Sequence, residues 1–183
     1  MLKWFREASP RLKARIAGVF YLASFVFGIV GEQFVRGRLG FAMGIIAVSC
    51  NAAMTLVIYD ILKSVNKNLS LFAASLNCVG LVFEVLRWNP LGVDMAMVLH
   101  GFYCLAIGYI VFNSRFLPRI LGALMALAGL VWLIYLSPPL AKHLFPYNVA
   151  AGLLGEVSLM LWLLIMGVNV QRWNERAGLS TTF

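Results

Sequence analysis

The chain has 183 residues, of which 62% are hydrophobic and only 12% charged, and its formal net charge is +8. A water-soluble domain carries roughly twice that charged fraction, so this chain lacks the polar surface to cover a core in water, and its solvent must be mostly lipid. The basic residues sit between oily segments, where orientation in a membrane and contact with anionic headgroups account for them. Nucleic acid is therefore not an expected partner.

The opening "MLKWFREASPRLKAR" is basic and precedes a long oily run with no small-x-small cleavage signal. It predicts a retained helix behind a short interfacial segment (1–14), with Ser9 as a cap and Pro10 opening the first helical turn. A spanning helix needs about 20 mostly apolar residues. Six segments qualify in chain order: 15–34, 40–62, 69–88, 94–113, 118–137 and 147–169. The connections "RGRLG", "KSVNKN", "WNPLG", "NSRFLPR" and "SPPLAKHLFP" are short and carry the asparagine, glycine and proline of turns. The expected fold is all-α: one polytopic domain over 1–183, a bundle of six transmembrane helices with short loops and a short tail over 170–183.

Direction follows from Lys and Arg. An even number of spans puts both ends on one side, and that side would hold eleven of the basic residues against four on the other. The positive-inside rule then predicts cytoplasmic termini in a bacterial inner membrane. Cys50, Cys78 and Cys104 all fall inside oily segments, and their spacing matches no zinc pattern. They read as small, unpaired apolar residues.

"SPRLKARIAGVFYLASFVFGIVGEQFVRGRL" (9–39), "VIYDILKSVNKNLSLFAA" (57–74), "HGFYCLAIGYIVFNSRFLPRILGALMALAGL" (100–130) and "GEVSLMLWLLIMGV" (155–168) succeed one another in an order that resembles a bacterial membrane-protein family known as domain of unknown function 4386. The resemblance runs along nearly the whole chain. It departs at the first outer loop, which is shorter here than family members often have. It implies a multi-helix bacterial membrane protein and brings no activity with it.

Ionisable groups inside the spans single out a place. Counting the rise per residue from each span's centre puts Glu32 roughly 10 Å, Glu84 roughly 8 Å, His100 roughly 5 Å and Glu156 roughly 3 Å outward of the midplane. Asn51 and Asn77 lie near that plane, and Tyr21 and Tyr103 add hydroxyls. Charges in lipid are expensive and face a bundle interior or a wet cavity, so this common depth predicts one polar pocket opening outward. The candidate ligand-binding residues are Glu156, His100, Glu84, Glu32, Asn51 and Tyr103. No residue is assigned a catalytic role and none is assigned to a metal. The spacing Gly-x-x-x-Glu recurs in "GIVGE", "GLVFE" and "GLLGE", and a glycine at i−4 leaves room beside the glutamate for a neighbouring helix or a ligand.

Plainer readings stand beside these. Glu32 has Arg36 at i+4 and Glu84 has Arg87 at i+3, the geometry of interfacial ion pairs. Asp94 reads as a helix N-cap. A lone histidine in an apolar helix is commonly a packing residue. Glu156 differs because Gly152, Leu153, Leu159 and Met160 surround it on its own helix. It must find a partner on another helix, meet water or stay protonated.

Three functions compete. The first is binding or transport of a small cation, a proton or an amphipathic molecule from the outer side, with "SPPLAKHLFP" as a lid. The second is a membrane enzyme acting on a lipid-like substrate by carboxylate and histidine acid–base or metal chemistry. The third is a structural or accessory subunit, for which "GALMALAG" (122–129) offers a small-residue contact face. The expected partners are membrane lipids and a further membrane protein or second copy of the chain.

Overall fold

A computed structural model describes residues 8–35 and 37–178, with the side chains of Glu32 and Gln33 outside the description. Eight α-helices are present among the described residues, in this order: α1 (Pro10–Gln33), α2 (Arg38–Leu62), α3 (Lys67–Leu86), α4 (Met95–Asn113), α5 (Arg119–Trp132), α6 (Pro138–Leu144), α7 (Tyr147–Ile165) and α8 (Val170–Arg176). One 3-10 turn (Leu133–Leu136) extends α5, and another (Pro90–Gly92) precedes α4. Six helices, α1 to α5 and α7, are long and apolar enough to cross a membrane.

Local chemistry sets their ends. Ser9 accepts a hydrogen bond from the Leu12 N–H at 3.3 Å, and Pro10 comes next, where a missing N–H costs nothing. The first span therefore begins at Pro10, inside the expected interfacial segment, of which residues 1–7 lie outside the described residues. Asn66 caps α3 through the Leu69 N–H at 3.0 Å, and Asp94 caps α4 through the Met97 N–H at 3.1 Å. Residues 138–144 wind into the short helix α6, which places His143 in a helical last turn and not in a loop. The tail likewise contains α8, capped by Asn169.

The spanning helices pack in chain order, each on the next, and α7 closes the ring against α1. Large apolar side chains cover the outside: Val19, Leu56, Leu130 and Leu161 are all exposed, as lipid-facing residues should be. The seam between α4 and α5 is tight. A Cβ on Gly108 would lie 2.6 Å from the Ala126 nitrogen, and one on Gly122 would lie 2.5 Å from the Phe112 nitrogen. Gly122 and Gly129 of the small-residue stripe 122–129 are thus consumed inside the bundle, in backbone contact with Gly108 and Gly101.

The two ends of the bundle differ. At the end where α1 begins and α8 lies, Ile58, Ile61, Leu62, Ile107, Val111, Leu117, Leu159 and Leu163 line a void of only about 10 Å³. That is about the room one water needs, so the aliphatic centre between these helices is closely packed. Lys13, buried with 7% exposure, pairs with Asp60 at 2.7 Å, and Lys63 reaches the other oxygen of Asp60 at 2.5 Å. At the opposite end, the α1–α2 hairpin and the α3–α4 pair part to leave a groove of about 1060 Å³. The three cysteines are free: Cys104 is buried, Cys50 half-buried and Cys78 exposed.

Candidate functional site

Glu156 sits near the middle of α7 and is 4% exposed. Its own helix offers it nothing polar, and three other helices supply what is missing. The Trp132 indole N–H donates to Oε1 at 2.6 Å, the Tyr21 hydroxyl donates to Oε2 at 2.9 Å, and His100 Nε2 lies 3.2 Å from Oε1. The recurrent glycine explains how the tryptophan gets there. A Cβ on Gly152, one turn before Glu156, would lie 2.6 Å from the Trp132 ring, so the indole fills the notch that the glycine leaves.

The network continues across the bundle. His100 Nδ1 meets Asn77 Oδ1 at 3.0 Å, and the Asn77 amide donates to Asn51 Oδ1 at 2.7 Å and to Thr55 Oγ1 at 2.7 Å. Thr55 in turn donates to the Asn51 carbonyl at 2.9 Å. All six spanning helices contribute: Tyr21 from α1, Asn51 and Thr55 from α2, Asn77 from α3, His100 from α4, Trp132 from α5 and Glu156 from α7.

Counting donors assigns most of the protons. Both amide hydrogens of Asn77 are used on α2, so its oxygen faces His100 and Nδ1 must carry a hydrogen. One further proton then lies between Nε2 and Glu156. The pair is either imidazolium and carboxylate or neutral imidazole and carboxylic acid, and it is electrically neutral in both forms. That is how a histidine and a glutamate can be held together in a low-dielectric interior. Ser70 Oγ is the one buried side-chain polar atom without a partner among the described residues, and it lies outside this network.

His100, Cys104 and Glu156 also offer a nitrogen, a sulfur and an oxygen within 4.8 Å of one another. These are donor types that zinc takes. The Nδ1 hydrogen held by Asn77 leaves Nε2 as the nitrogen that would ligate, which is how outer partners usually orient a metal-binding histidine.

The predicted site residues divide. Glu156, His100 and Asn51 belong to the network. Tyr103 packs beside it, with its ring 5.6 Å from that of His100 and its hydroxyl toward Met54 Sδ at 3.8 Å. Glu84 lies elsewhere. It is exposed in the last turn of α3, seven residues or about 10 Å beyond Asn77, and it lines the groove with Arg87 and Asp94. The Glu32 side chain falls outside the described residues. One pocket shared by all four ionisable groups is therefore not what the fold builds: the helical rise separates a closed centre from an open groove. The groove still points at the centre. Its lining includes Ala47 and Met97, one turn short of Asn51 and His100.

Trp132 and Thr55 are not singled out by the sequence pattern. A buried indole needs a partner for its N–H, but that Trp132 meets the Gly152–Glu156 notch is set by packing, so the sequence carried no signal for it. The signal available for Thr55 was its place one turn from Asn51 on the same face.

Residues 81–167 match the model of a family described as a domain of unknown function (DUF4386). The matched stretch carries His100, Trp132 and Glu156, while Tyr21, Asn51, Thr55 and Asn77 lie outside it. No curated protein and no solved structure matches the chain.

Proposed function

We propose that this membrane protein binds a small amphipathic cation from the outer side of a bacterial inner membrane, with the groove as its entrance and the His100–Glu156 pair below its floor. The groove carries the reading. It combines about 1060 Å³ of space with five glycines (Gly28, Gly31, Gly37, Gly40 and Gly44), apolar walls, and Glu84 and Asp94 against Arg87. Apolar walls with a few polar groups are the usual make-up of a small-molecule site. The closely packed aliphatic centre below the network favours binding over an open path. Movement of a cation or proton onward would need the lower half to part.

Tetraphenylphosphonium is a suitable probe. It should raise the unfolding temperature of the purified protein in neutral detergent, and Glu84→Gln should remove most of that rise while leaving the ligand-free protein unchanged. An equal rise in both proteins, or none in either, would overturn the reading. Cytoplasmic termini are part of it: in a background without the native cysteines, a cysteine at Lys142 should react with an impermeant reagent from outside, and one at Lys67 should not.

The His100–Cys104–Glu156 grouping supports a second reading, a buried metal centre of the kind a membrane enzyme would need. A divalent ion balanced by a thiolate and a carboxylate leaves the site neutral. Zinc titration monitored by native mass spectrometry, with Cys104→Ala as the comparison, tests it. Equal zinc retention by both proteins counts against it.

A further inference from the structure

A second cavity, of about 680 Å³, opens between the α4–α5 turn and α8, at the end where α1 begins. Its lining includes Arg115, Arg119, Arg172 and Arg176, with Glu175 as the one carboxylate. Among the described residues no ion pair engages any of the four arginines. Like charges gathered around a hollow repel one another, and an anion relieves that repulsion. The positive-inside rule requires basic residues at this end, but it does not require four of them around one hollow.

The walls are tied together. Arg115 adopts a left-handed backbone conformation (φ 62°), which is uncommon for a residue with a side chain. Its carbonyl accepts from Arg172 Nη1 at 3.2 Å, and the next carbonyl, of Phe116, accepts from the Asn169 N–H at 3.1 Å. The α4–α5 turn is thereby fastened to the start of α8. Ser114 accepts from the Leu117 N–H at 3.3 Å and fixes the same turn from within. The Arg119 guanidinium lies 5.8 Å from the Phe112 ring centre, on a ring partly exposed at the bundle surface.

We infer that this arginine-lined cavity binds the phosphate group of an anionic ligand. Guanidinium groups present paired N–H donors that match phosphate oxygens. Two sources carry that chemistry here: the headgroup of an anionic phospholipid and free inorganic phosphate. The exposed Phe112 and Ile120 beside Arg119 provide a surface for acyl chains.

The test uses the full chain in neutral detergent, incubated with equal amounts of phosphatidylglycerol and phosphatidylcholine, with retained lipid counted by native mass spectrometry. A separate arm titrates inorganic phosphate, alone and against bound phosphatidylglycerol. Arg119→Gln with Arg176→Gln removes two cavity charges and spares the Arg172 bond to the turn. Arg11→Gln with Lys67→Gln removes the same charge at the same end, outside the cavity. The wild type should prefer phosphatidylglycerol, and the preference should fall about fivefold for each cavity arginine removed, while the control pair keeps it. Phosphate binding without a lipid preference, lost in the cavity pair alone, identifies free phosphate as the source. Absence of both bindings in the wild type, or the same loss in both variant pairs, overturns the inference. Should the cavity pair fail to fold, Arg176→Gln alone is compared with Lys67→Gln alone, and an equal loss in these two overturns the inference.

Discussion

Glu156 and Glu84 share the same five-residue pattern, each one turn after a glycine, and end in opposite environments. The notch at Gly152 is filled by the Trp132 ring, and Glu156 is sealed among three polar partners. A Cβ on Gly80 would meet the Ala96 carbonyl and the Leu99 Cβ at 3.4 Å, ordinary distances for a helix contact, and Glu84 stays exposed at the groove. The same local motif therefore sets only how near a neighbour can come. What the neighbour carries decides whether the carboxylate becomes a buried hub or a group at the mouth of a groove.

The contrast is strongest for the side chains themselves. Glu156→Ala should cost about 3–5 kcal/mol, because it strands a buried imidazole together with the Trp132 and Tyr21 donors. Glu84→Ala should cost about 1 kcal/mol or less, as exposed groups do. Thermal unfolding in detergent compares them directly, and similar losses would erase the distinction between hub and groove.

The glycines give the next largest difference. Gly152→Ala pushes a methyl group into the indole and should cost about 1–3 kcal/mol. Gly80→Ala should be close to neutral, since its spacing is tolerable and alanine favours the helix. Trp132 fluorescence sharpens the comparison. It should change in Gly152→Ala and stay as in the wild type in Gly80→Ala.

Glu156→Gln should cost less than Glu156→Ala, about 1–3 kcal/mol for one mispaired group. An amide has one accepting oxygen and one donating nitrogen, whereas Trp132, Tyr21 and His100 all converge on the native carboxylate. One of them must lose its partner or turn around. A Glu156→Gln protein as stable as the wild type would show that the third bond contributes nothing measurable.

The number of spans, their limits to within a few residues, and the caps at Ser9 and Asp94 were set by the sequence alone. Lipid demands some 20 apolar residues per crossing, and a helix end demands a cap, so both leave local marks. The isolation of Glu156 on its own helix was equally legible, because neighbours at i±3 and i±4 are dictated by helical geometry. Its partners were not. Trp132, Tyr21 and His100 reach it from other helices, and which faces meet depends on how six similar apolar cylinders rotate and close into a ring. Hydropathy is nearly blind to that rotation, since every face of these helices is oily. Only side-to-side packing decided that the glycines of α4 and α5 would meet each other, that a tryptophan would fill the Gly152 notch, and that Glu84 would be left at the groove.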